Sequence, residues 1–446
     1  MTKGGGETWC VAGGGMLGQV LALRLAEHGK RVTLLEGAQS TGGLAAAETV
    51  DGITWDKFYH VILPGDGRTL ALLDELGLSG EVEWRRARTG FFAGGRLAPL
   101  DGAVDYLRLP TLGPVAKARI AMTLMMAARR RDGAPLEHIR VKDWLTRWSG
   151  REAFDRLWQP LLRAKLGTND DIASAAFIWA TIRRLYLARS AGAKTETLGF
   201  VSGGYRRVLE ALESRLSNAG VTVRTGCPVR QVTRKGPMIR VNTADGSMDF
   251  DHVVSTLPCA VTRQICGDLS PELSSRLGRV VYQGIVCASV VMSRPLASYY
   301  LTYLTDADLP FTAVVEMSAL TGRERFGGKS LVYLPRYATQ DDPFWDKDDT
   351  TIRNLFIAAL TRIYPGFSEA DVLAFKVSRV RNVMAVPTLG YGDIVPPVST
   401  NTPGLHIVNS AQITDGTLNV DATLGVIDRA LPILLGAPDG AMRSAA

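Results

Sequence analysis

The N-terminal pattern of apolar and polar residues predicts a strand, a helix and a second strand in close succession. Residues 9–12 and 31–35 are short apolar runs of the kind that form buried strands. Between them, Leu17, Leu21 and Leu25 recur at helical spacing within residues 16–28. We therefore expect the chain to open with a βαβ unit.

The middle of the chain changes to a helical pattern. Between residues 104 and 190, long stretches rich in Arg, Trp, Leu and Ala occupy residues 141–148, 151–166 and 173–188. We interpret this part as a helical insertion. Its interleaved tryptophans and arginines would suit a substrate with an apolar body and an anionic group. Packed tryptophans and arginines whose charged ends reach solvent explain the same residues.

The remaining segments return to mixed strand and helix patterns. Helices are predicted over residues 205–220 and 351–364, with another at the end of the chain. Strands are predicted at residues 221–224, 229–234, 239–243, 251–256, 281–292, 330–334 and 405–408. The two ends of the chain therefore share one kind of patterning, and the middle supplies helices and a second sheet. The fold class is α/β.

A glycine-rich turn joins the first predicted strand to the first helix. Gly13, Gly15 and Gly18 occupy the three glycine positions of GxGxxG, and Met16 and Leu17 lie between them at the helix start. In this motif the glycines allow a tight turn, close backbone approach to a pyrophosphate, and close packing of helix against strand. The helix N-terminus adds partial positive charge. We interpret the turn as a dinucleotide site; a purely structural glycine turn is the alternative.

An acidic residue follows the turn at the spacing that a ribose contact requires. Glu36 ends the second predicted strand, close to 20 residues beyond the turn. A carboxylate at this position hydrogen-bonds ribose hydroxyls and repels a 2′-phosphate. The dinucleotide is therefore FAD or NAD rather than NADP.

A second glycine pair, Gly42-Gly43, follows the acid. With this pair, residues 11–43 resemble the N-terminal fingerprint of the flavin amine oxidase superfamily, which includes phytoene desaturases, protoporphyrinogen oxidases and UDP-galactopyranose mutases. The resemblance implies FAD as the cofactor, with Gly42 and Gly43 close to its phosphates and ribitol. Leu44 stands where the family usually has an arginine, so one phosphate contact of the family is absent.

Three further segments extend the resemblance over most of the chain. Val229 lies in the sequence Cys-Pro-Val, which we expect in a strand, and corresponds to the family residue whose backbone contacts adenine. Thr256 ends the strand that returns to the nucleotide domain. Near the C-terminus, Asn409, Asn419 and Val420 correspond to the segment that covers the flavin, where a helix N-terminus would stabilise negative charge on the reduced ring.

The resemblance also implies a segmented domain organisation. We expect a Rossmann-like FAD-binding domain built from residues 1–90, 201–268 and 396–446. The substrate domain is interleaved with it, with the helical insertion at residues 91–200 and a mixed sheet with helices at residues 269–395. A length of 446 residues is consistent with two domains.

Two residues are candidates for catalysis. His60 lies in a loop, residues 55–60, that resembles the family segment passing along the isoalloxazine, and a histidine there suits a proton donor or acceptor. Tyr391 precedes the C-terminal segment and could flank the flavin; Tyr333 and Tyr337 are weaker candidates. Simple packing is the alternative for each. Many oxidases of this superfamily place a lysine near the flavin, and the strand regions after residue 281 offer only Lys329 for that role.

The sequence leaves three functions open. The first is an FAD-dependent oxidoreductase that removes a hydride from a small, partly apolar substrate by dehydrogenation, desaturation or amine oxidation. The second is a flavin-dependent isomerase or mutase without net redox change. The third is a flavin-free binding protein of the same fold. No motif identifies the substrate, the electron acceptor or the oligomeric state.

Composition limits the binding partners and the cellular location that we expect for the protein. The net charge of +7 is spread along the chain, without the concentrated basic face that nucleic-acid binding requires. Five widely spaced cysteines match no zinc spacing and predict a cytoplasmic protein with reduced thiols. We expect no metal site and, from residues 9–15, no secretory signal. Residues 110–131, apolar with a basic end, could make a peripheral membrane contact.

Overall fold

The predicted N-terminal βαβ unit forms the centre of a five-stranded parallel sheet. The computed structural model describes residues 6–101, 103–108, 111–189, 197–414 and 417–437. Within these ranges the strands, named β1 to β19 in chain order, are Thr8–Ala12, Arg31–Leu35, Ala47–Val50, Ile53–Asp56, Val82–Arg86, Thr89–Ala93, Arg96–Pro99, Thr197–Val201, Thr222–Arg224, Gln231–Lys235, Met238–Thr243, Gly246–Phe250, His252–Ser255, Tyr282–Met292, Leu301–Leu304, Ala313–Glu316, Ser330–Ala338, Val372–Ala385 and Leu405–Ile407.

The helices lie mostly between the strands and in the middle of the chain. Named α1 to α15 in chain order, the described α-helices are Met16–Glu27, Gly67–Glu75, Ala103–Arg108, Pro114–Arg129, Val141–Ser149, Arg151–Ala153, Gln159–Leu166, Ala175–Arg189, Tyr205–Asn218, Cys259–Ile265, Pro271–Gly278, Met317–Thr321, Asp349–Ile363, Tyr391–Ile394 and Val420–Leu434. A π-helical turn, Phe154–Trp158, joins α6 to α7. None of the helices described combines the length and apolar character needed to cross a bilayer.

The parallel sheet has the strand order β19-β13-β1-β2-β9. Its core packs against α1, α9 and α15, through residues such as Leu21, Leu212 and Ile427. Strands from the start, the middle and the end of the chain therefore share one sheet. This is the doubly wound arrangement of a nucleotide-binding domain, in which ligands bind at the carboxyl ends of the strands.

A second sheet of seven strands has the order β18-β14-β17-β16-β15-β6-β7. It is mixed, because β15 pairs with β6 in parallel while its other neighbouring strands pair antiparallel. One face packs against α13, with Phe356 and Leu360 buried. The other face holds an aromatic cluster that includes Trp55, Phe200 and Tyr333. The predicted α/β class with a mixed second sheet is confirmed.

The helical insertion has its own apolar core. Trp144, Trp158 and Trp179 are all buried in it. The indole N–H of Trp158 donates to Ser149 Oγ at 3.0 Å, and that of Trp179 to the carbonyl of Ala127 at 3.1 Å. Packing therefore accounts for these tryptophans.

Some elements differ from the sequence-based expectations. Residues 227–230 form no strand, contrary to the prediction for the Cys-Pro-Val segment; β10 begins at Gln231. The reason is that the turn after β9 bonds to residues 36–38, through Gly226 N to Ala38 O at 2.7 Å and Cys227 N to Glu36 O at 2.8 Å. The segmentation into domains stays a prediction, although residue 90 falls inside β6, a strand of the second sheet.

Candidate functional site

The glycine turn after β1 leaves no room for side chains. Gly13 has φ +114°, and a Cβ there would lie 2.4 Å from Thr256 Oγ1. A Cβ on Gly18 would lie 1.9 Å from the carbonyl oxygen of Gly13. The first contact fixes the turn against β13, and the second holds α1 against the turn. Glycine is therefore required at both positions for the strand and helix to meet.

The start of α1 is free to bind an anion. Helix α1 begins at Met16, followed by Leu17, and its N-cap Gly15 provides no side-chain cap. The first turn contains no acidic residue. The first N–H groups of a helix lack intrahelical partners and carry partial positive charge, so this terminus suits a phosphate group.

Glu36 is held beside the turn by backbone hydrogen bonds. Its Oε2 accepts from Gly14 N at 2.7 Å, and its Oε1 accepts from Ala38 N at 2.7 Å. An ionised carboxylate has about four acceptor sites, so two remain for hydroxyl donors. The carboxylate is thus fixed in orientation and still able to accept from a ribose.

The second glycine pair lies directly against the phosphate turn. Gly42 N donates to Gly14 O at 2.8 Å, and Gly42 forms a parallel bridge with Gly15. A Cβ on Gly43 would lie 3.1 Å from Gly15 Cα, and the φ angles of Gly42 and Gly43 are +113° and +58°. Leu44 follows and packs against the aromatic cluster of the second sheet. The pair therefore carries the chain from the phosphate turn toward the second sheet.

Val229 and Thr256, both predicted to bind the cofactor, have different surroundings. Among the described residues, no hydrogen bond engages the backbone N–H or carbonyl of Val229, and its side chain is half-buried. That backbone is available to an adenine edge. Thr256 instead donates its hydroxyl to the carbonyls of Ala12 at 2.9 Å or Gly13 at 3.1 Å. These hydrogen bonds hold the glycine turn against the end of β13.

Asn409 is a structural cap. Its Oδ1 accepts from Ala411 N at 3.0 Å and its Nδ2 donates to Leu257 O at 2.9 Å. Gln412 completes a capping box by accepting from Asn409 N at 3.0 Å. Asn409 is buried, so its side chain positions the loop after β19 and is not free for a ligand.

Asn419 caps the start of α15. Its Oδ1 accepts from Ala422 N at 2.9 Å, and its Nδ2 donates to Thr417 O at 2.7 Å. Val420 is the first helical residue and is half-buried. Asp421 accepts from the backbone N–H of Thr69 at 3.0 Å, which ties α15 to the start of α2. The helix start is therefore fixed against α2.

His60 lies in a loop anchored by a buried carboxylate. Asp56 Oδ1 accepts from Tyr205 N at 2.7 Å, and Asp56 Oδ2 lies 3.7 Å from His60 Nδ1. His60 Nδ1 is 2.9 Å from the carbonyl of Phe58. A carbonyl only accepts, so Nδ1 carries the proton of a neutral ring and Nε2 keeps its lone pair. His60 therefore has a nitrogen able to accept a proton.

Tyr391 is packed within the structure. It is 2% exposed, and its hydroxyl donates to Ala411 O at 2.8 Å. Burial raises the pKa of the Tyr391 hydroxyl far above its usual value, so the group stays protonated. We assign it to packing beside the loop that Asn409 caps.

A lysine and two tyrosines meet at a place that sequence reasoning missed. Lys165, on α7, places its ammonium 2.7 Å from the Tyr337 hydroxyl on β17. The Tyr337 hydroxyl lies 3.0 Å from that of Tyr59, in the His60 loop. Burial and the neighbouring Tyr337 raise the pKa of Tyr59 well above its usual value. Lys329, by contrast, is paired with Asp51 at 2.6 Å.

The weaker candidate Tyr333 also belongs to this region. Its hydroxyl donates to the Asp56 carbonyl, and its ring centroid lies 6.2 Å from that of Tyr59. Tyr59, Tyr333 and Tyr337 therefore form an aromatic wall beside the His60 loop. The sequence analysis identified Tyr333 and Tyr337 as weaker catalytic candidates. No motif marks Lys165 within the helical insertion.

The residues present fit a dinucleotide such as FAD. The uncapped α1 terminus and the glycine turn suit its pyrophosphate, and Glu36 suits its ribose. Gly15 and Gly43 approach each other closely with no side chain between them, so backbone alone borders this part of the turn. A bulky side chain at any of these glycines would fill the cradle.

Comparison with known proteins agrees with this geometry. The family model of flavin containing amine oxidoreductase matches residues 18–419. A putative flavin-containing monoamine oxidase of Mycobacterium tuberculosis is 25% identical over 263 residues, which cover 56% of this chain and 56% of that protein. Protoporphyrinogen oxidase of Macaca fascicularis is 25% identical over 311 residues, which cover 62% of this chain and 65% of that enzyme.

Solved structures share the fold over nearly the whole chain. A putative protoporphyrinogen oxidase from Exiguobacterium superimposes with a TM-score of 0.77 at 18% identity, covering 98% of this chain and 100% of that one. A reduced UDP-galactopyranose mutase superimposes with a TM-score of 0.74 at 16% identity, covering 98% of each chain. The chain spans about half the length of the first curated relative. With the family model matched over most of its residues, the chain belongs to the flavin containing amine oxidoreductase family, and its cofactor is FAD.

Proposed function

We propose that this protein is an FAD-dependent oxidoreductase that removes a hydride from a small organic substrate. The observation that carries the proposal is the contact of Gly43 with Gly15 at the phosphate turn, after which Leu44 packs against the aromatic cluster of the second sheet that includes Tyr333. The family supports oxidoreduction in preference to a flavin-free binding role.

The bound flavin supplies the hydride acceptor. The chain itself holds the pyrophosphate at the glycine turn and the ribose at Glu36. Tyr59, Tyr333 and Tyr337 exclude water and orient the substrate. His60 holds or accepts a proton at Nε2, since Nδ1 is committed to the carbonyl of Phe58.

Anaerobic reduction of the bound flavin tests this function. Purified protein with FAD is mixed, without oxygen, with amines, polyenes, tetrapyrroles and nucleotide sugars, and the visible flavin absorption is followed. We expect one class to bleach the flavin stoichiometrically. Turnover of a substrate without any electron acceptor would favour the isomerase instead. A colourless protein that does not bind FAD would overturn both.

We also propose a peripheral membrane contact for α4. Its exposed face contains Val115, Met122 and Met125, which are 73%, 49% and 44% exposed, and ends at Arg129. These positions follow helical spacing, so they form one stripe. An apolar stripe with a basic end suits the surface of an anionic bilayer.

A further inference from the structure

We infer that the substrate carries a carboxylate, which binds to the ammonium of Lys165 and the hydroxyls of Tyr337 and Tyr59. This inference rests on the proposed function and specifies its substrate class. The three side chains come from α7, β17 and the His60 loop, so they meet only in the folded protein. We call them the lysine–tyrosine cluster.

The cluster contains a cation without a protein counterion. Lys165 is half-buried, and no carboxylate of the described residues lies within 4.0 Å of its ammonium. Its neighbour on the same helix, Arg163, does pair with Asp170 at 3.4 Å. Placing a charge in a partly dry environment is costly unless an opposite charge or hydrogen bonds compensate it. The Tyr337 hydroxyl at 2.7 Å and the face of its ring, whose centroid is 4.3 Å from the ammonium, compensate the charge in part. A bound anionic group would complete that compensation.

The number of free donors matches a carboxylate. The ammonium of Lys165 has three N–H groups, and one donates to the Tyr337 hydroxyl at 2.7 Å. Of the two tyrosine hydroxyl protons, one lies in the bond between Tyr59 and Tyr337 at 3.0 Å. Two N–H groups and one O–H group therefore remain. A carboxylate accepts several hydrogen bonds and donates none, so it complements this set.

A buried amide without a donor partner lies near the backbone of Tyr337. Gln283 is fully buried, and its Nε2 has no hydrogen-bond partner among the described residues. Its Oε1 is held by Asn169 Nδ2 at 2.7 Å. Its Nε2 lies 3.5 Å from the point that a Cβ on Gly167 would occupy, and the carbonyl oxygen of Tyr337 lies 3.8 Å from that point. Unsatisfied buried donors of this kind are rare in folded proteins.

The lysine–tyrosine cluster adjoins the aromatic cluster of the second sheet. Tyr59 is adjacent in sequence to His60, and both Tyr59 and Tyr337 pack against the aromatic cluster that Leu44 also contacts. Leu44 directly follows the Gly42-Gly43 pair. The ammonium of Lys165, bonded to Tyr337, therefore borders the same apolar cluster, where it can hold one end of a substrate whose other end is oxidised.

Binding of benzoate to the FAD-loaded protein tests the inference. Benzoate is an aromatic carboxylate without an oxidisable C–H bond next to its acid, and its binding is followed through perturbation of the visible flavin spectrum. We expect saturable binding to the wild-type protein. We expect Lys165→Met to weaken it about tenfold or more, because hydrogen bonds to a charged group are lost. Lys165→Arg restores part of the affinity.

Matched controls separate this effect from damage to the fold. Lys142→Met removes an exposed lysine of the same helical insertion and leaves the affinity unchanged. Tyr337→Phe keeps the ring, removes one hydroxyl and weakens binding; it serves as the test if Lys165→Met does not retain flavin. Equal benzoate affinity in wild type and Lys165→Met overturns the inference. So does tighter binding of inorganic phosphate than of benzoate, which would assign the cluster to a phosphoryl group.

The outcome is distinguishable from failure of the proposed function. In one outcome, substrates without a carboxylate reduce the flavin, Lys165→Met leaves their KM unchanged, and benzoate does not bind. That outcome supports the oxidoreductase function and refutes the carboxylate site. If benzoate binds through Lys165 but no compound reduces the flavin, the function falls and the site stands. For a carboxylate substrate we expect Lys165→Met to raise KM with a smaller change in kcat.

Discussion

Single contacts at a few residues decide whether this fold can hold its cofactor. Gly18 shows this most clearly, because the carbonyl oxygen of Gly13 occupies the space that a Cβ on Gly18 would need. Glu36 is held by two backbone N–H groups, which fix the orientation of its carboxylate beside the glycine turn. His60 has one nitrogen committed to the Phe58 carbonyl and one uncommitted. Each of these is a local geometry that one substitution removes.

Gly18→Ala is expected to abolish FAD binding. Alanine favours a helix over glycine by about 1 kcal/mol, but a Cβ 1.9 Å from a backbone oxygen forces the turn to move. Overpacking of this kind costs about 1–3 kcal/mol, so the clash outweighs the helical gain. Flavin content after purification measures the effect. Gly65→Ala is the control, since no atom lies within 4 Å of its Cβ position; equal flavin content in both variants would contradict the expectation.

His60→Gln is expected to slow flavin reduction while leaving the flavin bound. Proton transfer by a positioned side chain contributes about a hundredfold or more to rate, and glutamine provides no titrating nitrogen. Stopped-flow reduction of the bound flavin by a substrate from the panel measures the rate. His28→Gln is the control, because His28 is exposed on the far end of α1. An unchanged rate in His60→Gln would assign that residue to packing.

At the scale of elements, capped helix ends and exposed faces determine what each helix does. Helix α15 is capped by Asn419 and bonded to α2 through Asp421, so its start has a fixed position. Helix α1 is uncapped and therefore available to phosphate. Helix α4 buries one face, including Ile120 and Thr123, in the insertion and leaves the opposite face apolar and exposed.

The double variant Met122→Glu with Met125→Glu is expected to lose binding to anionic vesicles by about tenfold or more. It replaces apolar contacts with acyl chains by charges that anionic lipids repel. Cosedimentation with phosphatidylserine-containing vesicles measures binding, and the expected wild-type binding falls with added salt. Leu355→Glu, at a residue 40% exposed on α13, is the matched control. Wild-type protein that remains in the supernatant would refute the membrane contact.

At the scale of the whole molecule, two buried titratable groups in different sheets make the stability of the folded protein depend on pH in opposite directions. Glu316, in the second sheet, accepts from Leu296 N at 3.1 Å and Ala297 N at 3.2 Å, and burial raises its pKa to about 7. His406, in the FAD-binding sheet, stacks near Trp9 and bonds to His252 at 3.2 Å. Burial, with a smaller contribution from His252, lowers the pKa of His406 to about 4.

Glu316→Gln is expected to stabilise the protein at pH 8 but not at pH 4. The folded pKa of Glu316 lies above its ordinary 4.5, so its contribution is present below pH 4.5 and is lost as the pH rises through about 7. The free energy of unfolding decreases by up to roughly 3 kcal/mol over this pH range. Thermal unfolding of both proteins with saturating FAD gives the difference in Tm at each pH. Glu272→Gln, at an exposed position, is the control. The same difference at both pH values would be inconsistent with titration of Glu316.

His406→Phe is expected to reduce sensitivity to acid. The folded pKa of His406 lies below its ordinary 6.5, so its contribution is present above pH 6.5 and is lost as the pH falls through about 4. Phenylalanine keeps a ring against Trp9 and has no titrating nitrogen. It loses the bond of His406 Nε2 to His252 at 3.2 Å, whereas the buried Nδ1 has no partner among the described residues. The Tm of the variant should therefore fall less between pH 7 and pH 5 than that of the wild type. A parallel decrease in both proteins would count against this explanation.

Local elements could be predicted from the sequence because their causes are local. The helices α5, α9 and α13 follow apolar spacing within one segment, and the structure has them close to the predicted ranges. The long strand β18 was not predicted, because its exposed and buried residues alternate irregularly and a bulge interrupts its pairing. The Cys-Pro-Val segment was predicted as a strand, but its neighbours bond to the loop after β2 instead.

The sequence by itself determined the glycine turn, the acid after the second strand and the family, because backbone conformation and motif spacing are properties of neighbouring residues. Only the tertiary structure decided that Lys165 and Tyr337, 172 residues apart, meet beside Tyr59. It also decided that Asn409 caps a loop and that Tyr391 packs in the core. The physical reason is that hydrogen-bond partners, burial and counterions depend on which distant segments share a surface, and a linear pattern does not contain that information.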